Sequence, residues 1–345
     1  MRFKIFSSSS IFLIMFAFAL PVFAHEVYVL DQTEIDFALR APSPDFVSVI
    51  TDNPWHFVQW GCIVLLVVLL VFMISTMQGL ERRTDKALRS LKKYAPKVAQ
   101  LTLGSALIAS GYYHSIFGVE LPLHSAFGQT YEGTAGLLLV FLGLMFVFGI
   151  MPRIAAVCTV ALFSGFFVKF GFYMTNYATY AGEALTLAIF GGAYNIHSNR
   201  LVSGKLSQII SEEWYQYKYL IIRVFFGISL IYASIYAKFI YGALALETVL
   251  KYNLTEYFPF DPTFLVLGAM LIEIFLGLCF IVGFEVRFAS LFFLIFLIMS
   301  LTFFGEAVWP HIILIGTAVS MFLHGYDKFS LSVWLEKDKN LEPVL

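Results

Sequence analysis

Glu273 stands near the middle of the apolar run Thr263 to Gly283, where an ionised side chain is costly unless it is paired or watered. Ala269, Glu273 and Gly277 follow at i, i+4 and i+8, so the acid lies in a stripe of small residues that lets a neighbouring helix approach. Such a carboxyl can exchange protons or hydrogen-bond a quinone or substrate. It can equally be half of a structural ion pair, or a neutral acid bonded to a backbone carbonyl. Further ionisable residues stand toward the ends of other apolar runs. Lys238, Glu306 and His311 do so in the second half of the chain, and His114, Lys169 and Glu183, with Asn176, in the first. Charges of both signs at one depth can pair across helices and line a pocket open to one face of the membrane. The proton-handling, catalytic candidates are Glu273, Glu306 and His311. The substrate-binding candidates are Lys238, Lys169, Glu183 and His114. The two lysines could instead snorkel to the headgroups, which is harder for Glu183, on the same face as Asn176.

The elements that must position these residues follow from composition. Of 345 residues, 59% are hydrophobic and only 13% charged, with a mean hydropathy of +0.81. A soluble enzyme is excluded. The 38 Phe and 18 Tyr suit lipid-facing and interfacial positions. A net charge of −1 leaves no basic field for nucleic acid. P-loop, GxGxxG, GxSxG and HExxH patterns are missing, which removes support for ATPase, dinucleotide-enzyme, serine-hydrolase and zincin readings. Cys62, Cys158 and Cys279 lie far apart in apolar segments and read as buried small hydrophobes.

Arg2 and Lys4, the apolar run Ile11 to Leu20 and the small-residue site Val22-Phe23-Ala24 mark residues 1–24 as a signal peptide. Residues 25–54 are then an exported segment, and His25-Glu-Val-Tyr-Val-Leu alternates as a short strand would. Nine apolar stretches follow, each near the length that crosses a bilayer: Trp55 to Met77, Val98 to Gly118, Thr134 to Ile150, Ile154 to Tyr173, Tyr177 to Ile196, Tyr219 to Tyr241, Thr263 to Gly283, Arg287 to Phe304 and Val308 to Gly325. The basic loop 78–97, the linker 197–218 and the tail 336–345 carry most of the cations. The positive-inside rule places them in the cytoplasm of a bacterium, with the mature N-terminus outside the inner membrane and the C-terminus inside. On the same rule Arg153, Arg223 and Arg287 read as topology anchors, and His324 as interfacial. The fold class is therefore all-α and polytopic, with about nine transmembrane helices in the lipid bilayer.

A shift of 134 residues aligns Leu142-Gly143-Leu144 with Leu276-Gly277-Leu278, Gly149 with Gly283, Arg153 with Arg287, Phe170-Gly171 with Phe304-Gly305 and Gly191 with Gly325. Upstream, Gly104 to Tyr113 lies against Gly227 to Tyr236 at a shift of 123. The expected organisation is two parallel four-helix repeats, 98–196 and 219–335, preceded by one extra span, 55–77. The second copy has a longer loop after its first helix.

The second copy, with Arg223-Val-Phe-Phe-Gly227, Lys238, Glu273 with Gly277, Gly283 with Arg287, and Gly325, resembles the DoxX/DoxD family of four-helix membrane proteins. The first resembles a degenerate member, with Gln100 in place of Arg223 and Ser115 in place of Lys238. The family is named for a membrane subunit of a thiosulfate:quinone oxidoreductase, so the resemblance implies a quinone-linked redox subunit with other redox subunits as partners. Two other classes stay open: a transporter of a small solute or proton between the repeats, and a non-catalytic scaffold or assembly factor. Copper is a further candidate cofactor, because a His25 left N-terminal could chelate it with His56, His124 or His311, although no fixed His spacing supports this.

Overall fold

The computed structural model describes residues 29–76, 88, 90–191 and 212–335. The signal segment, most of the basic loop, most of the linker and the tail lie outside the described residues. The described chain is helical. Its one β feature is an isolated bridge between Ser115 and Pro122. The helices, in order, are α1 (Gln32–Ala38), α2 (Phe46–Asp52), α3 (Pro54–Thr76), α4 (Ala95–Tyr112), α5 (Leu123–Phe127), α6 (Glu132–Val147), α7 (Pro152–Phe170), α8 (Ala178–Phe190), α9 (Lys218–Ser234), α10 (Gly242–Lys251), α11 (Leu254–Tyr257), α12 (Pro262–Val282), α13 (Val286–Phe304), α14 (Ile312–His324) and α15 (Leu331–Leu335).

Among the described residues, four helical stretches are long and apolar enough to cross a membrane: Pro152–Phe190, Trp214–Ile240, Pro262–Val282 and Val286–Phe304. A fifth is Phe46–Asp52 with Pro54–Leu70, bent by 96°, if the pair is one span. Glu132–Val147 and Trp309–His324 are shorter apolar helices. Within Pro152–Phe190, Gly171 has a φ of +61°, and the chain turns there so that α7 and α8 pack on each other. Only glycine takes that conformation without strain. Large apolar side chains such as Val168, Leu137 and Met299 point outward from their helices, as contact with lipid requires.

Helix pairing is set by backbone approach. Between α4 and α6, a Cβ on Gly104 would sit 2.8 Å from the Gly143 carbonyl oxygen, and between α9 and α12 one on Gly227 would sit 2.5 Å from that of Gly277. Residues related by the shifts of 123 and 134 thus make matching crossings. The match extends further. Gly149 and Gly283, Gly171 and Gly305, and Gly191 and Gly325 all have positive φ, as do Met151 and Glu285, each at 46°. Arg153 packs over Gly191, and Arg287 over Gly325. Gln100 donates to the Phe146 carbonyl at 2.9 Å, and Arg223 to that of Phe280, also at 2.9 Å.

α4 also packs along α14, and α8 along α9, which places α4, α8, α9 and α14 in a central bundle flanked by α6–α7 and α12–α13. Two glycines allow these contacts: Gly182 on α8 lies against Phe225, and Gly316 on α14 against Thr102.

Two local expectations are corrected. The loop after α9 is mostly helical, forming α10 and α11, because Gly242 to Lys251 buries Leu244, Ala245 and Val249. Most of the strand expected at 25–30 lies outside the described residues, and α1 follows it, capped by Asp31, which accepts from Thr33 N and Glu34 N while Glu34 accepts from Asp31 N at 2.7 Å. Cys62 and Cys158 are exposed on helix faces and only Cys279 is buried, since hydrocarbon accepts a thiol as readily as a protein core does.

Lys251 on α10 ties the N-terminal segment down, donating to Glu34 at 2.6 Å and to the Val29 carbonyl at 3.1 Å.

Two measurements test these elements. Gly227→Ala should lower stability by about 1–3 kcal/mol, because the clash is with backbone, whereas Gly165→Ala, with open space around it, should be neutral or stabilising by up to about 1 kcal/mol in thermal unfolding of the detergent-purified protein. The Thr33 hydroxyl and the Glu34 N–H hold the Asp31 carboxyl below its usual 3.8, and Glu34 holds the Lys251 ammonium above its usual 10.5. A lowered carboxyl stabilises at pH above its unfolded value and loses that contribution as pH falls through the folded one. A raised ammonium contributes below its unfolded value and loses that as pH rises through the folded one. The α1 cap should therefore weaken below pH 3.8, and the Lys251 tether that docks this segment above pH 10.5. A spin label on Phe37→Cys, with Cys62 and Cys158 replaced by Ser, should gain mobility at both extremes, and constant mobility would refute the coupling.

Candidate functional site

Past Ser234 the helix of α9 widens into a π turn, Ile235–Ile240, with Tyr241 N–H reaching the Tyr236 carbonyl at 3.1 Å. The extra residue in such a turn re-aims the side chains that follow. Lys238 lies in this turn, and its Nζ is 2.8 Å from Glu273 Oε2 on α12. Ser234 Oγ donates to the Met270 carbonyl at 3.1 Å and fixes the same crossing. Glu273 lies about 16 Å along α12 from its start. The pair is neither sealed nor open: the side chains are 16% and 19% exposed.

The other candidates form separate groups. His311 is buried, with Nε2 3.4 Å from Glu306 Oε2 and Nδ1 3.0 Å from the Ala307 carbonyl. Ser300 Oγ donates to the other Glu306 oxygen at 3.0 Å. Lys169 is exposed and donates to the Ala126 carbonyl at 2.7 Å. His114 is exposed in a turn at a φ of 51°. Glu183 is deeply buried on α8, where its Oε1 accepts from Thr317 Oγ1 of α14 at 2.6 Å. None of the seven candidates lines the apolar cleft of about 350 Å³ formed by Phe127, Tyr131, Leu138, Leu162, Phe166 and their neighbours. Among the described residues no cluster of three His, Cys, Asp or Glu side chains is placed to hold a metal ion. His25 lies outside the described residues.

Two readings change. Arg223 is no headgroup anchor. It is buried, with Nε 2.6 Å from Asp327 Oδ2, Nη2 3.0 Å from the Phe329 carbonyl, and Nη1 on the carbonyls of Phe280 and Ile281. α9 brings it to the end of the bundle that α12 and the segment after α14 close, where five donors need acceptors. Arg287 is likewise buried and donates to the Phe322 carbonyl at 3.2 Å. His324 is buried and stacked on Tyr219, with ring centroids 3.4 Å apart, rather than interfacial.

Some residues carried no sequence signal. Asp327 is one. Glu120 is another, in the α4–α5 connection, where it accepts from the hydroxyls of Tyr173 and Tyr177. Tyr236 packs edge-on against Tyr173, which makes a tyrosine group over this acid. A carboxylate in an irregular connection and tyrosines spread over two helices have no common period, so only the fold gathers them.

This arrangement of apolar helices, glycine crossings and charges paired inside the bundle defines a multi-pass helical membrane protein. The stretch 219–306, which carries Arg223, Lys238, Glu273, Arg287 and Glu306, matches the model of the DoxX family. Neither the curated proteins nor the solved structures contain a match.

Asp327→Ala leaves the Arg223 guanidinium buried without its counter-charge and should cost about 3–5 kcal/mol in unfolding free energy. The double replacement Arg223→Met with Asp327→Leu should recover most of that loss. Equal destabilisation by single and double variants would show that the pair is not the connection that matters.

Proposed function

We propose that the protein is a membrane subunit of a quinone-linked redox system in the bacterial inner membrane, with the Lys238–Glu273 pair as its reactive contact. The observation that carries this reading is the pair itself: opposite charges 2.8 Å apart, well inside α12, yet still partly reachable. A fully sealed ion pair would be structural, and a fully exposed one would face hydrocarbon unpaired. A half-open pair suits an apolar ring that arrives through the bilayer with carbonyl oxygens to be hydrogen-bonded. The donor set fits such a molecule, since the ammonium can donate and the carboxyl can accept or release a proton.

A bound quinone supplies two-electron, two-proton chemistry. This chain's part is to hold a proton on Glu273 and to stabilise charge with Lys238. His311 and Glu306 form a second acid–base pair in the same unit. With its Nδ1 committed to the Ala307 carbonyl, the imidazole can exchange a proton only through Nε2, toward Glu306. The topology that goes with this role is nine spans, two parallel four-helix repeats after one extra helix, and a cytoplasmic C-terminus. The matched crossings Gly104–Gly143 and Gly227–Gly277, and the matched Arg–Gly contacts, support the duplication.

Mass spectrometry of lipids extracted from the protein in mild detergent tests the reading. The wild type should carry quinone near stoichiometry, Glu273→Gln and Lys238→Met should lose most of it, and both variants should keep the wild-type elution profile. Quinone at no more than its share of bulk membrane lipid in the wild type would sink the proposal.

A further inference from the structure

The most unusual feature of the molecule lies away from Lys238 and Glu273, on the face of α8 inside the central bundle. Asn176, just before the helix, and Thr179, Tyr180, Glu183 and Thr186 fall on one side at steps of three and four residues. The last four are at most 2% exposed. Asn176 Oδ1, the hydroxyls of Thr179 and Thr186, and Glu183 Oε2 make no hydrogen bond to the protein, while the Tyr180 hydroxyl and the buried Ser110 Oγ on α4 have only each other in reach. A buried polar atom left unbonded costs about 1–3 kcal/mol, so four in one file would consume much of the stability of an ordinary domain. Scattered orphans would be packing defects. An aligned file of them has the polarity that buried water requires.

The file has an end at each side. At one end stand Tyr177 and Tyr173, both donating to the half-buried Glu120. At the other stand Ser320, which donates to the Ala95 carbonyl at 2.7 Å, and Tyr219 stacked on His324. Glu183 lies between them, on the contact between α8 and α14.

We infer that this file is a proton path through the bundle, in which water bonds the orphaned groups and Glu183 takes up and releases the proton. Thr317 makes the exchange possible. Its single hydroxyl proton has two acceptors in reach, Glu183 Oε1 at 2.6 Å and the Ile313 carbonyl at 2.7 Å. With Glu183 ionised, Thr317 donates to it. When water on the Glu120 side gives the free Oε2 of Glu183 a proton, Oε1 becomes the carbonyl oxygen of a neutral acid and Thr317 can turn its hydrogen to Ile313. When Glu183 passes that proton to water on the Tyr219 side, Thr317 turns back. One O–H bond breaks and one forms at each transfer, nothing is oxidised, and the heavy atoms need not move. Neither Lys238 nor Glu273 belongs to the path, so it stands whether or not the protein binds quinone.

The test uses the full chain in liposomes that hold a pH-sensitive dye, with a potassium diffusion potential set by valinomycin driving proton entry. Wild-type vesicles should change internal pH faster than protein-free ones. Glu183→Gln should lose about a hundredfold of the protein-dependent flux, as removal of a positioned acid–base group does. Thr317→Val should lose a large part of it, and Ser164→Ala, an exposed control on α7, should lose none. Should Glu183→Gln fail to fold, Thr317→Val and Glu183→Asp carry the comparison, with infrared difference spectra recorded across a pH step. The carboxylic C=O band should respond to pH in the wild type and shift in Glu183→Asp. Wild-type flux no greater than that of empty liposomes, or full flux in a folded Glu183→Gln or Thr317→Val, would overturn the inference.

Discussion

Helices in hydrocarbon gain nothing from hiding apolar surface from one another, because lipid is as apolar as leucine, and so they associate through packing and polar contacts. Here that constraint falls on a few glycines. At Gly104–Gly143 and Gly227–Gly277 the backbones come so close that a single methyl group would meet a carbonyl oxygen. Each crossing fixes the first helix of a unit against its second. Gly182 and Gly316 then let α8 close on α9 and α14 on α4. The central bundle, and every polar contact inside it, depends on those four approaches.

With the helices that close, polar side chains must be satisfied within the bundle or lose free energy. The solutions grade from full to partial satisfaction. Arg223 spends its donors on Asp327 and three carbonyls and holds the end of the bundle shut. Lys238 and Glu273 pair but stay partly open, a state that costs more than a sealed pair and is hard to explain by stability alone. The α8 face goes furthest, with several buried polar atoms left to something other than protein. Structural roles lie where satisfaction is complete, and chemistry is best sought where it is not.

Much of this was legible in the sequence because glycine and arginine mark geometry rather than composition. The pairs at a shift of 134 residues read as a duplication, and in the structure they share crossings, positive φ values and Arg–Gly contacts. Glu273, Glu183, Lys238 and His311 stood out because charge inside an apolar run is rare. Their partners could not be read the same way. Lys238 reaches Glu273 from a π turn, and no apolar periodicity signals the switch from α to π winding. Thr317 looks like any threonine in a membrane helix, since its hydroxyl can always bond the carbonyl four residues back. Asp327 follows Gly325 outside the last apolar run, where an acid needs no explanation until Arg223 is seen to lie beneath it. The positive-inside rule counts charges along the chain and is blind to depth, so it gave no sign that Arg223 is buried.

On the duplicated reading, Glu183 and Thr317 occupy the same position in the two units, since the shift of 134 residues carries one onto the other. Residues that meet their own counterparts lie on the axis relating the units. A true twofold would place two identical side chains there: two glutamates would repel across the contact, and two threonines would leave nothing to titrate. Divergence of one copy yields an acid facing a hydroxyl, a combination that accommodates the acid in either protonation state. The same divergence operates away from the axis in the opposite sense. The second unit has Arg223, Lys238 and Glu273 where the first has Gln100, Ser115 and Leu139. Gln100 keeps the bond to a carbonyl that Arg223 makes, so the packing role survives while the charge does not. On that reading the two units keep one scaffold and separate its chemistry: the half-open ion pair lies in the second, and Glu183, which faces Thr317, lies in the first.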